Sequence, residues 1–243
     1  RRRDDILAPI FQGIMTTIST NLQAVGARIA TAAQLAGRAV EDIRLLAVSK
    51  TFPPERIREA ALAGQIAFGE NYLQESLDKI AALRDLGLEW HFIGPLQSNK
   101  TRPVAEHFSW VHGVERLKIA ERLSAARGAG RPPLQVCIQV NVSGEASKSG
   151  VSPADTAALA RSVAVLPNLR LRGLMTIPEP TENMTMARQP FAALRDLRDA
   201  LNRDGLELDT LSMGMSHDLE AAILEGATIV RVGTAIFGER QST

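Results

Sequence analysis

The stretch Leu45-Leu46-Ala47-Val48-Ser49-Lys50, followed at once by Thr51-Phe52-Pro53-Pro54, decides how the chain is read. A short apolar run stopped by prolines reads as a buried strand of the kind found in parallel sheets. Its last residue is a lysine, and α/β folds hold ligands outside the carboxyl ends of their strands. An amine kept among apolar neighbours can lose its proton and attack a carbonyl, forming a Schiff base. A strand ending in a solvated lysine explains this segment more simply, so the rest of the chain has to decide.

Working outward, the same unit recurs. Upstream, Pro9 to Ala36 reads as a helix with Ile10, Ile14, Ile18, Leu22, Val25 and Ile29 at three- and four-residue spacing, stopped by Gly37. Downstream, Pro54 to Leu62 is a helix with proline at its start. Ile66 to Glu70 is a second strand, and Asn71 to Leu86 a helix with Leu73, Leu77, Ile80 and Leu83 on one face. Glu89 to Gly94 is a third strand. Gln97 to His107 is a weaker helix, interrupted by Pro103. Trp110 to Val114 is a short fourth strand, Glu115 to Arg127 a helix, and Leu134 to Val142 the plainest strand of all. After the polar loop Ser143 to Gly150, a helix starts at Ser152-Pro153 and ends near Leu166-Pro167. Leu169 to Ile177 is the sixth strand, and a helix follows from about Thr185 to Arg203. Thr210 to Met215 is the seventh strand, Ser216 caps a helix from His217 to Leu224, and Thr228 to Phe237 is the eighth.

Eight strand-like runs alternating with helices in 243 residues is the size of a single (β/α)8 TIM barrel. No composition break or Gly/Ser linker divides residues 1–243, so one domain with an N-terminal helical extension is expected. A doubly wound open sheet is the alternative, but no G-x-G-x-x-G follows the first strand. With 45% hydrophobic residues, a sizeable core can form. A net charge of +1 without long blocks of one sign argues against nucleic acid or a membrane surface as the main partner. Arg1-Arg2-Arg3 reads as a solvated terminus. A lone cysteine in an apolar run, Cys137, suits a reducing cytosol, and the absence of a signal or spanning segment agrees with a cytoplasmic protein.

In a barrel the polar residues at the strand ends converge on one mouth. They are Ser49-Lys50, Gly69-Glu70-Asn71, His91, Asn141, Met175-Thr176, Ser212 to Ser216 and Arg231-Val232-Gly233-Thr234. Ser216 in an N-cap position and Gly233-Thr234 on the next strand suit a phosphate, a site that recurs after strands 7 and 8 of this fold. An ordinary capped helix and a strand glycine are the plainer reading. If the barrel closes, Lys50 lies beside that phosphate site, and a small phosphorylated aldehyde would bridge the two. Pyridoxal 5′-phosphate (PLP) fits. Arg231, two residues before Gly233, shares its side-chain direction and could point at the pyridine nitrogen. As a permanent cation that only donates, it would keep that nitrogen unprotonated. A salt bridge to an acidic residue is the alternative for Arg231.

These segments carry a resemblance. Leu46-Ala47-Val48-Ser49-Lys50-Thr51, Phe68-Gly69-Glu70-Asn71-Tyr72, His91-Phe92-Ile93-Gly94-Pro95-Leu96-Gln97-Ser98-Asn99-Lys100, Gly173-Leu174-Met175-Thr176, Ser212-Met213-Gly214-Met215-Ser216 and Arg231 to Gly238 resemble the YggS/PROSC pyridoxal-phosphate homeostasis family over about residues 45 to 240. The resemblance implies a fold-type III barrel like the N-terminal domain of alanine racemase, with PLP on Lys50. It implies that Arg231 faces the pyridine nitrogen and that Ser212, Ser216, Gly233 and Thr234 surround the phosphate. Asn71, His91 and Met175 would line the ring pocket. Phe52 departs from the family, many members having a second lysine there.

Other assignments carry less. His91, His112 and His217 lack the spacing of a metal site. Cys137 has apolar neighbours unlike those of a nucleophile. Lys148 reads as solvated, with a mobile lid or transient PLP acceptor as the minority view. Glu70 and Asn71 can be read simply as helix caps. Two functions remain: a monomeric carrier or buffer of PLP serving vitamin B6 homeostasis and apo PLP enzymes, or a PLP-dependent amino-acid racemase. Racemisation needs a second acid/base on the opposite cofactor face. By resemblance, that group is a tyrosine from a separate β domain. This chain ends soon after strand 8 and its only tyrosine is Tyr72, so the carrier without catalytic residues is expected.

Overall fold

The computed structural model describes residues 16–144 and 149–239. The described residues form a closed barrel of eight parallel strands in chain order. The strands are β1 (Arg44–Val48), β2 (Ala67–Glu70), β3 (Glu89–Phe92), β4 (Trp110–Val114), β5 (Leu134–Gln139), β6 (Leu169–Met175), β7 (Thr210–Ser212) and β8 (Ile229–Val232). Around them run α1 (Thr17–Leu35), α2 (Pro54–Leu62), α3 (Leu73–Ala82), α4 (Thr101–His107), α5 (Leu117–Arg127), α6 (Pro153–Ala164), α7 (Met184–Arg203), α8 (Leu219–Leu224) and α9 (Thr234–Phe237). The expected fold is the observed one. β1 closes on β8, Leu46 standing opposite Arg231 and Ala47 opposite Val232.

The alternation of side chains divides the core in two. Leu46 and Val48 turn inward with Ala67, Ile93, Trp110, Cys137, Met175 and Ile229, forming a small apolar cluster inside the barrel. Ala47, Phe68, Val111, Val136 and Leu211 turn outward into the larger cluster beneath the helices. That is why the strands read as unbroken apolar runs.

Several boundaries differ from the sequence reading. Pro103 does not interrupt α4: it lies in the first turn, where its missing N–H has no helical partner to lose. Strand 8 stops at Val232, and Thr234–Phe237 turns into α9. Strand 7 stops at Ser212. Ser216 is not the cap of α8. That helix starts at Leu219, and the Asp218 carboxylate takes the Met215 N–H at 2.6 Å. Ile10 and Ile14 of the expected first helix, and Arg1-Arg2-Arg3, lie outside the described residues.

α1 runs beside α8 and α9, burying Ile18, Val25 and Ile29, and Thr16 caps it through the Ser19 N–H. Its Arg28 holds Glu220 with two hydrogen bonds, at 2.7 and 2.9 Å, and donates to the Ser216 carbonyl at 2.9 Å. Asn21 donates to the Ile236 carbonyl at 2.9 Å. The first helix thus braces both segments that follow β7 and β8.

Candidate functional site

Lys50 sits in a tight turn just past β1. The Phe52 N–H returns to the Ser49 carbonyl at 3.1 Å, and Thr51 adopts a left-handed φ of 69°, uncommon for a residue other than glycine. A buried charge cluster holds the turn in this form. Lys79 of α3 donates to the Ser49 carbonyl at 2.8 Å and to both Glu70 oxygens at 2.9 and 3.1 Å, and it pairs with Glu75. Glu75 in turn accepts the Thr51 N–H at 2.6 Å, and Ser49 donates its hydroxyl to Glu70 at 2.6 Å. Burial pushes the Glu70 carboxyl above the usual carboxylate range, and Lys79 and Ser49 oppose that shift. Residues on both sides of Lys50 are therefore pinned from behind, with its own side chain facing inward.

Lys50 lines a cavity of about 180 Å³ at the carboxyl ends of the strands. Asn71, Ser216, Arg231, Gly233 and Thr234 line it too, and Val48, Ile93, Ile177, Met215 and His217 supply the remaining wall. The Asn71 Oδ1 is buried there without a hydrogen-bond partner. Such an atom is costly unless something donates to it. The Ser216 and Thr234 hydroxyls lie 3.3 Å apart. A Cβ at Gly233 would come 3.2 Å from the Val48 carbonyl oxygen, so glycine lets β8 leave the barrel close against β1. Gly214, at φ 92°, makes the turn that carries Met215 and Ser216 to the rim, with no room for a side chain 2.5 Å from Ala222.

Arg231 forms the polar floor. Its guanidinium donates to the Ser212 hydroxyl at 2.8 Å and to the Thr176 carbonyl at 2.9 Å. Burial pulls its pKa down to about 10 against the pull of Asp218, which leaves it a cation at neutral pH. The alternative of a direct salt bridge is not what the structure shows: Arg231 hydrogen-bonds to neutral oxygens.

Of the residues singled out in the sequence, Lys50, Asn71, Ser216, Arg231, Gly233 and Thr234 share one cavity. Ser212, His91 and Met175 do not line it. Ser212 is wholly buried, its hydroxyl between Arg231 and His112, while His91 lies deeper still, between Glu89 and His112. Met175 belongs to the apolar cluster inside the barrel. Phe52 stacks on Phe237, ring centroids 5.0 Å apart, so its side chain is committed to α9. Tyr72 is about half exposed and outside the cavity wall. No group of His, Cys, Asp and Glu able to hold a metal occurs among the described residues. Cys137 is buried, and burial pushes its thiol up to about 12, far from a nucleophile's range. Lys148 lies outside the described residues.

The sequence reading missed His217 as a wall residue and Arg28 as the brace behind Ser216. His217 follows Ser216 directly and could have been included. Nothing local marks Arg28, whose role depends on α1 packing against α8.

Residues 20–241 match the family described as alanine racemase, N-terminal domain. The chain is 65% identical over 226 residues to the pyridoxal phosphate homeostasis protein of Pseudomonas aeruginosa, covering 93% of this chain and 97% of that protein. The structure of PipY from Synechococcus elongatus with PLP bound is 37% identical, has a TM-score of 0.80, and covers 91% of this chain and all of that one. Alanine racemase from Corynebacterium glutamicum, 20% identical with a TM-score of 0.66, shares the fold over 91% of this chain and 62% of its own. No helix among the described residues is long and apolar enough to cross a membrane.

Proposed function

Because this chain belongs to the alanine racemase N-terminal-domain family, together with the pyridoxal phosphate homeostasis proteins, we propose that it binds PLP at the Lys50 cavity and carries or buffers the cofactor for vitamin B6 homeostasis. The observation that carries the reading is the convergence of Lys50, Arg231 and the Ser216–Thr234 hydroxyl pair on one cavity. The residues fit the group. An amine suits the aldehyde, two hydroxyls beside a glycine backbone suit the phosphate, and the orphaned Asn71 Oδ1 suits a ring hydroxyl that needs an acceptor.

When bound, PLP supplies an aldehyde that condenses with a primary amine, releasing water, and a ring that draws electrons from whatever is attached. Lys50 presents the amine from a turn that cannot swing away, because its neighbours on both sides are held by Lys79 and Glu75. Arg231 offers only donors, so it would keep a ring nitrogen that it contacts unprotonated and would weaken the electron sink. Ser216 and Thr234 would hold the anionic end, and Arg28 keeps the Ser216 segment in place. These features support retention without turnover: an amine held in place, a cation against the ring and, among the described residues, no second acid/base assigned to the face opposite Lys50.

The test is borohydride reduction of PLP-loaded protein followed by mass spectrometry of its peptides. A pyridoxyl group on the Lys50 peptide, and loss of the visible absorbance in Lys50→Ala with unchanged melting, is the expected result. Labelling of another lysine with Lys50 unmodified would overturn the assignment.

A further inference from the structure

Beneath the cavity, a line of hydrogen bonds crosses the inside of the barrel. Arg231 donates to Ser212 Oγ at 2.8 Å, and Ser212 Oγ meets His112 Nδ1 at 2.7 Å. His112 Nε2 meets His91 Nδ1 at 2.9 Å, and His91 Nε2 meets Glu89 Oε1 at 2.6 Å. Glu89 stands at the amino-terminal end of β3, where Arg44 of β1 pairs with the same oxygen at 2.8 Å. The line starts under the cavity and ends at the opposite mouth. Both imidazoles and the serine are fully buried.

We propose that His112 and His91 are positioning residues for Arg231, each held as the neutral Nε2–H tautomer in a one-way chain of donors that terminates on the Glu89 carboxylate. This rests on the reading that Arg231 faces the ring nitrogen of the cofactor.

The direction of the chain follows from proton counting. A guanidinium only donates, so Ser212 Oγ must accept from Arg231. The serine has one proton of its own, and His112 Nδ1 is its only other partner among the described groups. If Nδ1 carried a proton instead, two donors would face one oxygen and the serine proton would have no acceptor in the interior, an arrangement folded proteins avoid. Nδ1 therefore accepts, and the single proton of a neutral His112 is on Nε2. That proton points at His91 Nδ1, which accepts it, so His91 also carries its proton on Nε2 and donates to Glu89. One permanent donor at one end and one permanent acceptor at the other fix every step between them.

The alternative is a charged His91 donating at both nitrogens, to Glu89 and to His112. It would reverse the His112 ring and orphan the serine proton. It would also add a cation inside a barrel that already holds Arg231 above and Arg44 below. Among the described residues, Glu89 is the one carboxylate hydrogen-bonded to either ring. Trp110 lies flat on His91, centroids 5.3 Å apart and planes within 4°, with Arg172 over its ring. Burial pushes both histidines down, His112 furthest, and for His91 it outweighs the opposing pull of Glu89, which agrees with neutral rings.

The chain gives Arg231 a fixed acceptor. Ser212 is itself a donor to His112, and an oxygen that donates onward is a better acceptor, so the links strengthen one another. Without the chain the Ser212 hydroxyl is free to rotate and Arg231 keeps only the Thr176 carbonyl as a directional anchor.

The first experiment needs no cofactor. Two-bond ¹H–¹⁵N spectra of the imidazoles in uniformly ¹⁵N-labelled protein, recorded from pH 8 to 5.5, report tautomer and charge for all four histidines. Two rings are expected in the Nε2–H form and constant over that range, assigned by their loss in His91→Gln and His112→Gln. If the wild-type protein instead shows either ring as Nδ1–H or titrating near 6.5, the proposal is overturned. The second experiment reads the cofactor site, using PLP as ligand. Glu89→Ala should weaken PLP about three- to tenfold, the range for one hydrogen bond, and should shift the absorption band of the bound cofactor. Glu89→Gln, which keeps an acceptor oxygen, should restore both. Unchanged affinity and band in Glu89→Ala, where Arg231→Lys alters both, would overturn the positioning role. An unaltered Arg231→Lys protein would overturn the assignment of Arg231 to the cofactor, and this proposal with it.

Discussion

The Lys79 ammonium donates to the carbonyl oxygen of Ser49 at 2.8 Å, so a buried cation on α3 grips the residue immediately before Lys50. It also faces the buried Glu70. Removing one member of a buried ion pair leaves an uncompensated charge and typically costs about 3–5 kcal/mol, whereas replacing both partners is often close to neutral. Lys79→Met should therefore destabilise by roughly that amount in urea unfolding, and Lys79→Met with Glu70→Gln should recover much of the loss. A double variant as unstable as the single one would show that packing, rather than charge, is what Lys79 provides.

The phosphate assignment can be separated from ring binding by comparing PLP with pyridoxal, which lacks the phosphate. Ser216→Ala and Thr234→Ala should each weaken PLP by about 1.5–3 kcal/mol, the range for a hydrogen bond to a charged group, and leave pyridoxal nearly unaffected. Arg28→Ala, which frees the Ser216 carbonyl, should show the same selectivity with smaller size. Equal losses for both ligands, measured by titration of the absorbance, would move the phosphate elsewhere.

Through two buried imidazoles, acid should weaken the fold before Glu89 titrates. His91 and His112 are held below their ordinary value by burial. Below about pH 6.5 the unfolded chain takes up protons that these rings refuse in the folded state, so stability falls as pH drops. The slope is up to about 1.4 kcal/mol per pH unit for each ring. Glu89 acts lower on the scale. Burial pushes it up, but the hydrogen bonds from His91 and Arg44 and the Arg44 charge outweigh that and hold it below the usual carboxylate range, so its contribution is lost only as pH falls below about 4.3. Urea midpoints at pH 8, 6.5 and 5.5 should decline over the second interval. A flat profile would mean that the rings are already protonated in the fold.

PLP-loaded protein should not convert L-alanine to D-alanine at ordinary enzyme rates, about 1–10³ s⁻¹. Loss of one general acid or base typically costs about 10²–10⁴-fold, and neither Tyr72 nor His91 lines the cavity. Chiral chromatography, with Lys50→Ala as control, checks this. Lys50-dependent turnover in that range would restore the racemase reading and make His217, the one imidazole in the cavity wall, the first residue to replace.

The barrel was legible because each unit announces itself locally: an apolar run, a Gly or Pro boundary, then a helical repeat. The place of Lys50 at the carboxyl end of β1 was legible for the same reason, although the strand stops at Val48 and Lys50 lies in the turn before Pro53-Pro54. Errors arose where two local signals compete. Ser216 and Asp218 both suit a helix start, and the carboxylate took the Met215 N–H, delaying α8 to Leu219. Thr234 to Phe237 continues the apolar run of β8, but Gly233 turns the chain and the same residues wind into α9. The interior chain was invisible in sequence. His91, His112 and Ser212 sit on β3, β4 and β7, and only the register of the closed barrel brings them into line.

Lys50 follows β1 while Arg231, Gly233 and Thr234 come from β8 and just beyond, and the pairing of those two strands is the seam that shuts the barrel. During synthesis the amine leaves the ribosome long before the residues that would hold a ligand beside it. A nascent chain halted anywhere before β8 exposes its lysine with neither a floor nor an anion clamp. Loop closure between such distant segments comes at an entropic cost and slows folding. On the proposed reading, acquisition of the ligand would be a late event that reports a finished barrel, and only molecules that have completed it would retain a reactive aldehyde.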